Sequence, residues 1–333
     1  MALFDSLLNS TLLWATYFAL RTAQTWKLRD ALLWALFLLM AMLSKGTALM
    51  FFVLLPFVVG VMTYRKELLK HKKQFVGYTL LVSGIGYSFN LFLRFVLPDL
   101  NNAYIAKNSQ FQIPLDQVIA SPFPQMFSNL HAIFSWIIPY ITLPIFVTGF
   151  ASFALLLLKK PRIGIVLLAL CLIPILGLAT FGQIIFPRYF VFTASYLVLA
   201  VGFFVDYAMS LSKKYQWAIV IFGVILLLPA IRFDYFILKD PEHAPFPVTD
   251  VYQFVYDHPS GYGIQEVYDY INQESAKGEP ITVVTQGTFG LYPYAFNLEY
   301  WTDSNITIMP KFPLDKIDDE ILAADENSEV LFI

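Results

Sequence analysis

Three charged side chains stand where a largely apolar sequence gives charge little reason to be. Asp5 precedes the first apolar run, Lys45 interrupts the run from Ala31 to Tyr64, and Arg188 opens a late run in the fragment IIFPRYFVF. Each has a definite chemistry. A guanidinium grips a phosphate through two parallel hydrogen bonds, and an ammonium adds a point charge to the same anion. A carboxylate takes a proton from a hydroxyl, holds a metal or orients a cation. Each also has a structural role to set against this: a lysine snorkelling at a helix end, an arginine anchored in an interfacial aromatic belt, an acid at a helix N-terminus. Tyr189, beside the arginine, and His131 are secondary candidates, and Asp116 and Arg94 are weaker ones.

The elements that must position these groups follow from apolarity. Hydrophobic residues are 58% of the 333 and charged residues 14%, with mean hydropathy +0.62, which is the composition of a polytopic membrane protein. Apolar runs at about 6–20, 31–43, 47–64, 75–97, 132–158, 163–182, 189–211 and 217–231 read as some eight spans. One helix over the 34 residues Ala31–Tyr64 would be about 51 Å long, well beyond a hydrocarbon core of about 30 Å. The run is therefore expected to break within Met40–Ala48, MAMLSKGTA, at Ser44-Lys45-Gly46. A lysine at mid-bilayer depth costs at least about 3 kcal/mol, which puts Lys45 at an interface or in a polar cavity. Thirteen basic residues fall in four connections: Arg21 to Arg29, Arg65 to Lys73, Lys159 to Arg162, and Lys213-Lys214. The positive-inside rule makes these connections cytoplasmic. Asp5, Lys45, the loop 98–131, the segment Gln183–Tyr189 and everything after Phe233 then share the outer face. The loop 98–131, with Pro114, Pro122 and Pro124, reads as short broken helices along the interface.

Charge divides the chain in two. Residues 1–232 hold 18 of the 22 Lys and Arg but 6 of the 24 Asp and Glu, a net of +12, whereas residues 233–333 carry −14. The first part is the transmembrane domain, and the second is a small, acidic, extracytoplasmic α/β domain. Its opening stretch is irregular and rich in proline and aromatics. Beyond it GIQEVYDYINQESAK, GLYPYAFNLEYW and PLDKIDDEILAA read as helices alternating with the strands ITVVT, NITIM and EVLFI. That alternation predicts a small parallel sheet. The opening MALFDSLL lacks a basic signal-peptide start, and EVLFI ends the chain as an apolar strand without a partner, so truncation at both ends is expected. Cys171, the single cysteine, allows no disulfide within the chain and no cysteine-based metal site. HExxH, P-loop, GxSxG and CxxC patterns are absent, and the glycine pair in TQGTFGLYP is too short for a dinucleotide fingerprint.

These fragments carry a resemblance. The order and sidedness of LFDSLL at 3–8, Leu43-Ser44-Lys45-Gly46 and Pro187-Arg188-Tyr189-Phe190 are similar to the polytopic glycosyltransferases of the GT-C class. Within it the nearest likeness is to the family (glycosyltransferase family 39) of the protein O-mannosyltransferases and the lipid A aminoarabinose transferase. The resemblance implies a sugar donor on polyprenyl phosphate, inversion at the anomeric carbon, and transfer to a lipid, protein or polysaccharide acceptor at the outer face of the plasma membrane. Lys45 and Arg188 would contact the donor phosphate, and Asp5 would match the family's second acidic position. The principal catalytic acid of the family lies in a first outer loop, after a span that this chain lacks, so the chain as given is expected to be an inactive fragment or part of a shared site. Cofactors differ among members, and a divalent metal stays open. No nucleic-acid partner is expected. Two other readings remain: a transporter or flippase for a lipid-linked or anionic substrate, with Lys45 and Arg188 along its path, and a non-enzymatic scaffold whose acidic outer domain binds a partner.

Overall fold

The computed structural model describes the whole chain except residues 1, 110, 122, 212, 257–260, 262, 287–290, 312, 313 and 315. It divides into two compact units, Met1–Tyr235 and Phe236–Ile333.

The first unit is helical. It opens with α1 (Ala2–Thr25) and α2 (Leu28–Ser44), which lie against each other over most of their length, followed by a 3-10 turn (Gly46–Met50) and α3 (Phe51–Met62). Next come α4 (Arg65–Lys70), α5 (Lys72–Val96), α6 (Pro98–Ser109), α7 (Leu115–Ala120) and α8 (Phe123–Ile141). The unit closes with α9 (Leu143–Lys159), α10 (Pro161–Phe181), α11 (Val191–Leu211) and α12 (Gln216–Lys239), the last running past the boundary between the units.

Among the described residues, four helical stretches are long and apolar enough to cross a membrane: Lys72–Val96, Pro161–Phe181, Pro187–Leu211 and Lys213–Lys239. The bent pair Gln125–Ile141 and Leu143–Lys159 makes a fifth if counted as one span. The difference from eight runs has particular causes. The run 132–158, read as continuous, bends by 109° at Thr142, whose φ of +67° is unusual for a β-branched residue. Pro144 follows at the start of α9 and supplies no N–H to continue the ladder. The 17 residues of α2 rise about 26 Å, a little short of the hydrocarbon core. The expected interruption of 31–64 is present: α-helix ends at Ser44, Lys45 is extended (φ −163°, ψ 138°), and the 3-10 turn starts at Gly46. The loop 98–131 forms α6, α7 and the first turns of α8, in keeping with short broken helices.

Small residues let α9 and α11 approach closely, the usual device where lipid supplies no hydrophobic drive between helices. Thr148, Gly149 and Ser152 of α9 are buried, and a Cβ at Gly149 would lie 2.4 Å from Leu197 Cγ. Gly149→Ala therefore destabilises the bundle by about 1–3 kcal/mol. Thermal unfolding in micelles checks this, and the double variant with Leu197→Ala should lose less than the sum of the two single losses.

The second unit begins with a 3-10 turn (Pro241–His243), α13 (Val248–Val251) and a π turn (Tyr252–Tyr256). The predicted alternation then follows: α14 (Ile264–Ser275), β1 (Ile281–Gln286), α15 (Leu291–Glu299), β2 (Ile306–Lys311), α16 (Asp319–Asp325) and β3 (Glu329–Phe332). The strands form a parallel sheet in the order β2-β1-β3, with Ile281 in register with Ile306 and Glu329. Central β1 is buried from Ile281 to Thr285, as a strand covered on both faces must be. Ile271, Phe296, Tyr300 and Leu331 pack with it. The expectation that the last strand lacks a partner is corrected here, since β3 pairs with β1. The glycine pair Gly287 and Gly290 lies outside the described residues.

Asp318 caps α16 by accepting the Ile321 N–H at 3.0 Å and is held by Lys311 Nζ at 2.9 Å. Lys311 first, and the backbone bond second, push its carboxyl below the usual 3.8. A depressed folded pKa gives stability that is present above the unfolded value and lost as pH falls through the folded one. Amide protection at the start of α16 should therefore persist at pH 4 and fall only below 3.8, as hydrogen exchange on the full chain would show.

Candidate functional site

Asp5 lies in the first turn of α1 and Lys45 just past the last residue of α2. The two helices run antiparallel, because contacts join both ends of the pair. At one end Asp5 and Lys45 form an ion pair, with side chains 13% and 21% exposed. At the other, Arg21 Nε lies 3.6 Å from Asp30 Oδ1, and Thr25 donates to Asp30 at 2.6 Å. Along α1 the rise from Asp5 to Thr25 separates the two ends by about 30 Å. The extended backbone of Lys45 halts α2, and its carbonyl accepts the Ala48 N–H at 3.1 Å, which starts the next turn.

Arg188 reaches the same place from far along the chain. The segment that delivers it, 182–189, is tied at its start. Asn129 on α8 donates to the carbonyls of Ala179 and Gly182 at 2.9 and 2.8 Å, closing the C-terminus of α10. Gln183 N–H donates to Phe111 at 2.9 Å, and Ile113 N–H donates to Phe181 at 2.8 Å. Glycine is required at 182, where a Cβ would lie 2.4 Å from Ile185 Cγ2 and 2.5 Å from the Leu178 carbonyl. Buried Pro187 then opens the 3-10 turn Pro187–Phe190 that presents Arg188 and Tyr189.

Tyr189 sits between the two cations. Lys45 Nζ is 4.2 Å from its ring centroid and Arg188 Cζ 5.9 Å, while the guanidinium also lies 5.0 Å from the Phe186 ring. Such contacts hold a cation by the ring quadrupole and leave its hydrogens for another acceptor. Arg188 Nη1 is buried and has no hydrogen-bond partner among the described residues. A buried donor without an acceptor costs about 1–3 kcal/mol, and any acceptor that reaches it, an anion or a water, would relieve it. Two cations and one carboxylate leave the cluster with a net positive charge, and that charge suits a phosphate.

Four candidates, Asp5, Lys45, Arg188 and Tyr189, are thus brought together. His131 is exposed on α8, and among the described residues no contact joins it to the four. Asp116 is exposed in the first turn of α7. Arg94 is exposed near the end of α5, 5.8 Å from the Phe95 ring. Among the described residues no three His, Cys, Asp or Glu side chains gather as metal ligands would.

The residues that position the site were harder to see. Asn129 stood inside a loop fragment without distinguishing context, although Gly182, just after an apolar run, carried a helix-stop signal. At the opposite end, buried Asp30 was hidden among basic neighbours. Next to it Trp26, at φ +53°, stacks on His71 at 4.9 Å and offers its carbonyl to Tyr78 Oη at 2.9 Å.

Comparison of the chain with protein-family models, with curated proteins and with solved structures finds no match.

Proposed function

We propose that this chain is an integral membrane glycosyltransferase that uses a sugar on polyprenyl phosphate at the outer face of the plasma membrane. The observation that carries the reading is the convergence of Lys45, Arg188 and Asp5 around Tyr189, with a guanidinium nitrogen of Arg188 that has no partner among the described residues. Membrane character is supported by the four to five helices of spanning length and apolarity among the described residues.

In the reaction, the acceptor hydroxyl oxygen bonds to the anomeric carbon as the bond from that carbon to the phosphate oxygen breaks. The phosphate leaves with the electron pair, and the hydroxyl proton goes to a carboxylate. Lys45 and Arg188 lie where they can take up the charge growing on the departing phosphate, and preorganised cations in a site of low dielectric do so most effectively. Asp5 holds Lys45 through the ion pair and supplies the carboxylate of the cluster. A transport reading draws less support, since few polar residues occur within the apolar runs.

The test is transfer of radiolabelled sugar from a polyprenyl-phosphate donor in vesicles bearing the full-length gene product. Loss of transfer on Lys45→Ala and on Arg188→Ala, with normal membrane insertion, supports the assignment. Undiminished transfer in both variants overturns it.

A further inference from the structure

The first unit contains a second candidate binding place, distinct in chemistry from the cationic cluster. A cavity of about 380 Å³ opens between α7 and the end of α10, within the size range of small-molecule pockets. Its polar lining is Gln117, Ser121, Gln125, Thr180 and Gln183, and half-buried Ile113 and buried Val118 complete it. Amides and hydroxyls both donate and accept hydrogen bonds, and none of these side chains carries a charge. Gln125 donates to Asn129 at 3.1 Å and Thr180 to the Leu176 carbonyl at 2.7 Å. Among the described residues this leaves the amides of Gln117 and Gln183 and the hydroxyl of Ser121 as the groups available to a guest.

A neutral lining that mixes donors and acceptors with two apolar side chains offers both hydrogen bonds and apolar contact. It matches a ligand whose hydroxyls alternate donor and acceptor and whose C–H faces are apolar. A metal ion or an anion would find no counter-charge there. Gln183 is five residues before Arg188, so the cavity wall lies within about 18 Å of the cationic cluster along the chain.

We infer that this cavity binds a neutral saccharide. The inference deepens the glycosyltransferase reading and rests on it for the role of the sugar, which is either the acceptor or the sugar of the donor. The test measures equilibrium binding of tritiated neutral di- and trisaccharides of glucose, mannose and galactose to the purified chain in lipid nanodiscs. Glycoside detergents are excluded because their head groups would compete. At least one saccharide should bind saturably, and Gln117→Ala with Gln183→Ala should weaken it at least tenfold. Ser121→Trp, which fills the cavity from an exposed position, should abolish binding. All of these variants should bind polyprenyl phosphate as the parent does. Displacement of the saccharide by a polyprenyl-phosphate sugar identifies the cavity with the donor, and simultaneous binding identifies it with the acceptor. Absence of saturable saccharide binding, or unchanged binding in both sets of variants, overturns the inference. Glutamine-dependent saccharide binding without any polyprenyl-phosphate binding keeps the cavity and sinks the transferase reading, so the two can fail separately.

Discussion

Arg188→Ala should lower the affinity of the chain for a polyprenyl monophosphate by about a hundredfold. Each hydrogen bond from a charged group contributes about 1.5–3 kcal/mol, and a guanidinium can offer two to one phosphate. A loss of about 2.7 kcal/mol, or two factors of ten, lies just under the lower end of that sum, about 3 kcal/mol. Its buried Nη1, without a partner among the described residues, means that little competes with the phosphate for this donor. Arg188→Lys keeps the charge and loses the fork, so it should fall between the two, about tenfold weaker than the parent. Lys45→Ala should also cost about tenfold, because in the free chain that ammonium is already engaged by Asp5 and by the Tyr189 ring. Titration of the lipid into nanodiscs, read by native mass spectrometry, gives the three values. Equal affinities for parent and Arg188→Ala would remove the arginine from the phosphate site.

The second large effect should divide binding from turnover. Asp5→Asn removes the carboxylate that competes with phosphate for Lys45 and repels the incoming anion, so polyprenyl-phosphate binding should tighten severalfold. Transfer in the full-length product should meanwhile drop by about a hundredfold or more, the range associated with loss of an acid–base group. Because the asparagine amide oxygen can still accept a hydrogen bond from Lys45, no buried donor is orphaned and the bundle should remain folded. A variant in which binding and transfer fall together would make Asp5 a structural clamp on α1 and α2.

What could be read in advance follows from the range over which each interaction acts. The helices and strands of the second unit were legible because periodicity is local, and β1, β2 and β3 fall where ITVVT, NITIM and EVLFI predict them. Strand order was not, since pairing of β1 with both β2 and β3 depends on crossovers rather than on any one strand. The break at Lys45 was legible from length and charge, whereas the bend at Thr142 was not, because its proline neighbour also occurs in continuous membrane helices. Asp5, Lys45 and Arg188 stood out as charges in apolar surroundings. The residues that aim them did not: Asn129 and Gly182 act through backbone carbonyls and a close approach, and neither leaves a mark in composition. His131 illustrates the converse, a residue chosen for its chemistry that among the described residues makes no contact with the cluster.

The most direct measurement is photolabelling of the chain in nanodiscs with a polyprenyl phosphate that carries a diazirine on its first isoprene unit, followed by peptide mapping. The account predicts label concentrated on the peptide around Lys45 and on the segment Pro187–Phe190, suppressed by unlabelled polyprenyl phosphate and lost in Arg188→Ala. Label spread evenly along the apolar helices, or competed equally well by a neutral polyprenol, would contradict a phosphate site at Asp5, Lys45 and Arg188.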